Sequence, residues 1–337
     1  MTRSEATPVR LPGCTSLTHF NSNHNKIMES GILLRPKNVL LLCTSRCNLR
    51  CGICGYGQST GGMDLPHSLV KRLSSELTEA GVKTVYLSGG EPLLHQEFDA
   101  LLATLLDSGL NVRLSTNGTL LTPERINVLR RLTDISISLD GPAEIHDQIR
   151  GVPGSFDRTV SGIRALRDCA PDTEICISLT IMPENVGVVN ELIEFSRSIG
   201  VDTIGIQPPV TSFFRKTEQA LLKTDPESSA KLANTFQTLG AMNQDVSANA
   251  SYYYHLCTEY IVNGFRPSIP CRAGRDILTI FADGTIGPCW ALPTTLNLRD
   301  MSYSHAVSNP AFLRAFENAA KGQCCGCLFY CFFFPET

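Results

Sequence analysis

The sequence lacks a run of lysines and arginines, and its charges nearly cancel, 29 basic against 32 acidic residues for a net charge of -3. That balance leaves no electrostatic footprint for nucleic acid and no polybasic anchor for an anionic membrane. It also lacks any apolar run near the roughly 18 residues that a membrane-spanning helix needs. The opening residues, MTRSEATPVR, carry no apolar core of a secretory signal, so a cytoplasmic protein without a membrane or nucleic-acid partner is expected. No repeat or low-complexity tract is present. Hydrophobic residues at 42% with only 18% charged argue against a disordered chain, and 337 residues supply a sizeable core.

Cysteine, by contrast, is plentiful: fourteen residues, unevenly spread. Cys43, Cys47, Cys51 and Cys54 fall within twelve residues, CTSRCNLRCGIC. Cys271, Cys289, Cys324, Cys325, Cys327 and Cys331 gather toward the C-terminus, and Cys14, Cys169, Cys176 and Cys257 stand alone. In a reducing compartment, clustered thiols bind metal or do redox chemistry more often than they form disulfides.

Apolar or alternating segments at 38–43, 84–89, 111–116, 134–140, 174–180 and 202–207 read as six strands. Amphipathic helical patterns lie between them, three of them closed by Gly81, Gly109 and Gly200. Strand–helix alternation calls for parallel pairing with right-handed crossovers. Six units fall short of a closed eight-unit barrel, so an open six-unit barrel or a doubly wound sheet is expected, and both place their chemistry at the carboxyl ends of the strands. Residues 1–37 read as an arm and 208–270 as a largely helical connection. Residues 271–337 read as a cysteine-rich extension that opens with a hairpin turning at Asp283-Gly284.

Cys47, Cys51 and Cys54 have the spacing C-x3-C-x2-C. Three thiolates on one loop suit an iron–sulfur cube with one iron left open. A structural zinc site wants four closed ligands, which Cys43 would complete, and a third reading is an apolar helix face, which Gly52 and Gly55 weaken. CNLRCGIC after the first strand resembles the cluster loop of radical S-adenosylmethionine (radical SAM) enzymes. The second strand runs into SGGEP (Ser88–Pro92), the third into STNG (Ser115–Gly118) and the fourth into SLDG (Ser138–Gly141). Each is a weak signal alone, but their order matches that family across residues 38–207.

The resemblance implies an α/β fold, a partial (β/α)6 TIM-like barrel. It implies a [4Fe–4S] cluster on Cys47, Cys51 and Cys54, whose open iron is chelated by SAM. Ile53 would pack near the adenine, and Gly89, Gly90, Glu91 and Pro92 would meet the methionine amino group. Ser115 or Asn117 would reach the ribose, and Ser138 and Arg150 the carboxylate; Arg150, in HDQIRG, also admits a plain surface salt bridge. Reductive cleavage of SAM would then yield a 5′-deoxyadenosyl radical that takes hydrogen from an unactivated C–H bond. The cofactor carries this chemistry, and the protein orients the substrate and excludes water.

Cys271, Gly284 and Cys289 follow C-x12-G-x4-C, and CCGCLFYC follows at 324–331. This resembles the SPASM or shortened twitch extension, which holds auxiliary iron–sulfur clusters. Six cysteines rather than seven imply one auxiliary [4Fe–4S] cluster, on Cys271, Cys289, Cys324 and Cys327, with Cys331 competing with Cys324; zinc on the same ligands is the alternative.

The arm is shorter than the peptide-recognition domain common in peptide-modifying SPASM enzymes. A small-molecule substrate, such as a sugar, aminocyclitol or nucleoside, is therefore expected to be oxidised with the auxiliary cluster accepting or relaying an electron. The alternatives are a redox-neutral epimerase or modifier of a short peptide, with Cys257 as hydrogen donor, and a non-catalytic iron–sulfur or zinc protein. The enzymatic readings require a flavodoxin- or ferredoxin-type electron donor.

Overall fold

The computed structural model describes residues 34–56, 62–208, 225–241, 247, 249–263, 271–322 and 327–328. Cys324 and Cys331, expected as auxiliary ligands, and most of the N-terminal arm lie outside the described residues.

Six strands, β1 (Asn38–Thr44), β2 (Thr84–Gly89), β3 (Asn111–Thr116), β4 (Asp134–Ser138), β5 (Glu174–Thr180) and β6 (Thr203–Gln207), pair in parallel in chain order. Helices α1 (His67–Glu79), α2 (Phe98–Asp107), α3 (Pro123–Leu129), α4 (Ala143–Arg150), α5 (Ser155–Cys169) and α6 (Val189–Ser198) lie in the intervals. Helix α1 shows why they form: Leu69, Val70, Leu73 and Leu77 recur at helical spacing and are buried, and the chain leaves the helix through Gly81 at φ 87. At α3, Thr122 caps the helix by accepting the Arg125 N–H, and Pro123 occupies the first turn, where no donor is missed.

Alternation divides the strands between two environments. Val85, Leu87, Val112, Leu114, Ile135, Ile137, Ile175, Ile177, Ile204 and Ile206 join the core under the helices. The opposite face presents Ser88, Ser115, Ser136, Ser138, Cys176, Ser178, Thr180 and Gln207, none of them buried. Ser115 pairs in register with Ser136, Ser138 with Ser178, and Thr180 with Gln207, so hydroxyl and amide groups line this face across four strands.

The sheet is larger than the six strands expected. The C-terminal hairpin adds β7 (Ile277–Ile280), parallel to β1 with Asn38 opposite Ile277, and β8 (Ile286–Gly287), antiparallel to β7. The strand order is β6-β5-β4-β3-β2-β1-β7-β8, so one sheet runs through the boundary expected at residue 271. All four residues of β7 are buried, as befits a strand between neighbours rather than one in a free hairpin. The turn is where the sequence put it: Gly284 has φ 87 and Asp283 accepts the Thr285 N–H at 2.9 Å.

In the connection, α7 (Pro226–Ala241) packs on α8 (Ser251–Asn263), with the Phe236 and Tyr254 rings 6.3 Å apart. Helices α9 (Tyr303–Ser308) and α10 (Pro310–Ala320) follow the hairpin. Among the described residues no helix is long and apolar enough to cross a membrane.

Candidate active site

The loop after β1 is fixed from several sides. Segment 62–65 runs beside its start: Ser45 N–H donates to the Met63 carbonyl and Leu65 N–H to that of Cys43, each at 2.8 Å. Asp64 accepts the Thr44 hydroxyl at 2.6 Å and pairs with Arg46 at 3.1 Å.

The SGGEP segment closes the other side. Gly90 N–H donates to the Thr44 carbonyl and Glu91 N–H to that of Arg46, both at 2.7 Å. A Cβ on Gly90 would stand 2.1 Å from the Arg46 carbonyl oxygen, and one on Gly89, at φ 140, 2.3 Å from that of Thr44. The glycines are required because the two loops touch backbone to backbone.

Glu91 is fully buried, and its carboxylate accepts three hydrogen bonds, from Leu93 N–H (3.1 Å), the Thr116 hydroxyl (2.7 Å) and Asn117 N–H (2.7 Å). Burial pushes this carboxyl above its ordinary value, while the bonds from Asn117, Thr116 and Leu93 pull it back. Pro92 begins the short 3-10 turn that follows and is buried too. The Asn117 amide in turn donates to Asn48 Oδ1 at 2.9 Å, and the Asn48 amide to the Thr119 hydroxyl at 2.8 Å. The β3 loop is thereby tied to the residue beside Cys47.

Helix α4 supports the far side of the loop through Arg150, whose guanidinium pairs with Asp140 at 2.6 Å and approaches Cys51 Sγ at 3.9 Å. The pair is buried, not the surface salt bridge that HDQIRG alone allows. Ser115 is exposed and Ser138 half-buried, both on the polar face of the sheet, and Ile53 is half-buried in the loop.

The three thiols suit an iron–sulfur cube. The Cys47 thiol is pushed up to about 11, chiefly by burial and despite a hydrogen bond from the Leu49 N–H, with Cys51, Glu91 and Cys54 adding repulsion. A coordinated metal reverses that cost by holding the thiolate form. Among the described residues no three His, Cys, Asp or Glu side chains converge on a single ion; a cube binds each thiolate at a separate corner, so its ligands stand apart.

In the extension, Gly274 has φ 78, and a Cβ there would stand 2.8 Å from Pro288, so the turn after Cys271 lies against the residue preceding Cys289. Cys271 and Cys327 are half-buried and Cys289 is buried. The Tyr253 hydroxyl on α8 donates to the Leu328 carbonyl, next to Cys327. Cys257, one turn along α8, is fully buried, and burial pushes its thiol far up despite a hydrogen bond with Tyr253.

Sequence reasoning missed Asn48, Thr116 and Asp140. Thr116 and Asp140 sit inside motifs already singled out, STNG and SLDG, and Asn48 lies next to Cys47. What no spacing disclosed is which partners they meet.

Residues 41–196 match the model of the radical SAM superfamily. The AdoMet-dependent heme synthase of Methanosarcina barkeri is 27% identical over 86% of this chain and 87% of that protein. The PqqA peptide cyclase of Rhodopseudomonas palustris is 26% identical over 87% of this chain and 80% of its own length. Among solved structures, Streptococcus suis SuiB bound to its precursor peptide SuiA superposes with a TM-score of 0.65 at 17% identity, over 90% of this chain and 74% of that one, a likeness of fold.

The fold, the cysteine loop and these matches define an enzyme that works with a [4Fe–4S] cluster and SAM. Residues 41–196 carry the radical SAM domain, and the relatives are consistent with the SPASM/twitch subgroup of that superfamily, whose members carry auxiliary clusters. The expected sugar, aminocyclitol or nucleoside substrate finds no support in these relatives, whose names point to peptide or haem-pathway substrates; the alternative of a peptide modifier fits better.

Proposed function

We propose that this enzyme removes hydrogen from a peptide, with net oxidation of the peptide rather than redox-neutral inversion: one hydrogen atom would pass to the 5′-deoxyadenosyl carbon, and the second would leave as a proton with its electron passed to an auxiliary cluster. The observation that carries the choice between peptide and tetrapyrrole is the open face of the sheet. From β2 to β6 it presents Ser88, Ser115, Ser136, Ser138, Ser178, Thr180 and Gln207, with Leu40 and Tyr86 as its half-buried apolar residues toward β1, and its described arginine, Arg113, is paired with Asp134 at 3.0 Å. Hydroxyls and amides match the donors and acceptors of an extended peptide backbone. A flat apolar macrocycle with several carboxylates calls for apolar walls and free cations instead.

In this reading Cys47, Cys51 and Cys54 hold the cluster, and Cys271, Cys289 and Cys327, with Cys324 or Cys331, hold the auxiliary one. When bound, cluster and SAM supply the carbon radical. The chain's own residues do the rest. Gly89, Gly90, Glu91 and Pro92 form the ledge for the methionine end, Ser115, Asn117 and Ser138 offer polar groups along the nucleoside and carboxylate, and Ile53 gives an apolar contact. Oxidation is preferred to thiol quenching because Cys257 is fully buried in α8. A flavodoxin- or ferredoxin-type protein would deliver the electron.

The test incubates reduced, reconstituted enzyme with SAM and either peptides encoded beside its gene or iron-coproporphyrin III. The expected result is peptide-dependent 5′-deoxyadenosine and a peptide lighter by two hydrogens. A peptide of unchanged mass in H2O that gains one deuterium in D2O would move the assignment to epimerisation. Turnover of the porphyrin and not of peptide would overturn it.

A further inference from the structure

Arg150 is the last residue of α4, and its side chain is only 12% exposed. Nη2 meets Asp140 Oδ2 at 2.6 Å, Nη1 donates to Cys51 Sγ at 3.9 Å, and Nε is buried with no hydrogen-bond acceptor among the described residues. The backbone brackets the same cysteine: Arg50 N–H donates to the Arg150 carbonyl at 2.9 Å and Gly52 N–H to the Ile149 carbonyl at 3.1 Å. This fit needs Gly151, whose φ is 68 and where a Cβ would stand 2.5 Å from the Arg50 carbonyl oxygen. The final carbonyls of the helix are thus consumed by the cluster loop, and the guanidinium is the charge that remains beside the sulfur.

Asp140 is held as firmly. It is fully buried, its Oδ1 accepts the Thr180 N–H at 3.4 Å, its own N–H donates to His146 Nδ1 at 3.2 Å, and its carbonyl accepts the Asn185 amide at 2.9 Å. With its backbone held at two points and its carboxylate at two, counting Arg150, Asp140 leaves the guanidinium little freedom to turn.

We propose that Arg150, oriented by Asp140, is a positioning residue that raises the reduction potential of the cluster held by Cys51, and does so before SAM is bound. Reduction adds one negative charge beside Cys51, which is buried. A fixed cation and an N–H directed at a ligand sulfur favour the reduced state, because charge and hydrogen bonding at the sulfurs are the protein's levers on such a cluster. Burial leaves that interaction unscreened by salt. Asp140 and the sulfur meet different nitrogens of the guanidinium, Nη2 and Nη1, so an N–H remains directed at the sulfur while the carboxylate is paired. Arginine suits the task because its planar fork serves the carboxylate and the sulfur together, which a lysine ammonium cannot. The inference rests on Cys51 as a cluster ligand.

The experiment is an EPR-monitored redox titration without SAM on wild type, Arg150→Gln and the charge-balanced double variant Asp140→Asn/Arg150→Gln. The signal of this cluster is identified by its change on later addition of SAM, and iron is counted in each sample. The expected result is wild-type iron content and a midpoint lowered in both variants by at least tenfold in the reduction equilibrium, about 59 mV for one electron. An unchanged midpoint with weakened SAM binding would overturn the proposal and make Arg150 a ligand of SAM alone. Loss of iron from the double variant would also overturn it, showing the pair to be scaffolding. Persistence of the SAM-sensitive signal in Cys51→Ala would instead remove the ligand assignment beneath it.

Discussion

Glu91 Oε2 accepts the backbone N–H of Asn117 at 2.7 Å, and this bond makes the loop after β2 and the loop after β3 a single ledge. The same carboxylate takes the Thr116 hydroxyl and the Leu93 N–H, so the acid of the SGGEP segment organises the site rather than facing it. Replacing it with glutamine keeps the size and sets an amide N–H₂ against a donor. The expected cost is about 1–3 kcal/mol, the price of one buried unsatisfied group, with weaker SAM binding. Urea denaturation and equilibrium SAM binding on Glu91→Gln check both.

Gly90→Ala tests the contact between the first two loops. Its Cβ would stand 2.1 Å from the Arg46 carbonyl oxygen, so the cysteine loop has to move, and iron bound at this loop should fall sharply. Gly187→Ala is the control, with nothing within 4 Å and no left-handed φ, and should leave iron content and melting temperature near wild type. Iron quantification with thermal melts separates the two.

His146 gives a pH signature. Burial, with the Arg150 charge adding to it, lowers its pKa from 6.5 to about 3, and Nδ1 accepts the Asp140 N–H. Below about pH 6.5 the unfolded chain takes up a proton that the folded one refuses until near pH 3, so stability falls as pH falls through this window and is unaffected above it. His146→Asn keeps an acceptor and removes the titration. The fall should become shallower by up to about 1.4 kcal/mol per pH unit, measured by denaturant unfolding at stepped pH.

Tyr253→Phe removes the hydroxyl that holds the Leu328 carbonyl next to Cys327. In a Cys47→Ala/Cys51→Ala/Cys54→Ala background, where only auxiliary iron is counted, the added change should lower iron content. The environment of Trp290, buried beside Cys289, should shift in fluorescence. Equal iron with and without the tyrosine hydroxyl would separate α8 from the auxiliary site.

Much of the fold is legible in the sequence because its strands alternate locally: β2 and β3 fall on the expected residues, and β4 ends at Ser138, two residues early. The hairpin turn at Asp283-Gly284 is legible for the same reason. Its neighbour is not, since β7 pairs with β1 across well over two hundred residues, and no local pattern encodes that choice. The site divides likewise. The order of the four motifs points to the cofactor, but the bonds from Glu91 to Asn117, Asn48 to Asn117 and Asp140 to Arg150 join loops that meet only once the sheet has formed. The substrate class is the least legible part: the short arm suggests a small molecule, whereas the relatives favour the alternative of a peptide modifier.

The most direct measurement is 5′-deoxyadenosine released from SAM by the anaerobically reconstituted, reduced chain, beside its Cys51→Ala variant at equal protein. Release by the wild type and none by the variant is the expected result. A wild-type protein that carries its iron, accepts an electron and releases no 5′-deoxyadenosine with any of the peptides or porphyrin above would contradict the assignment of this site to radical SAM catalysis.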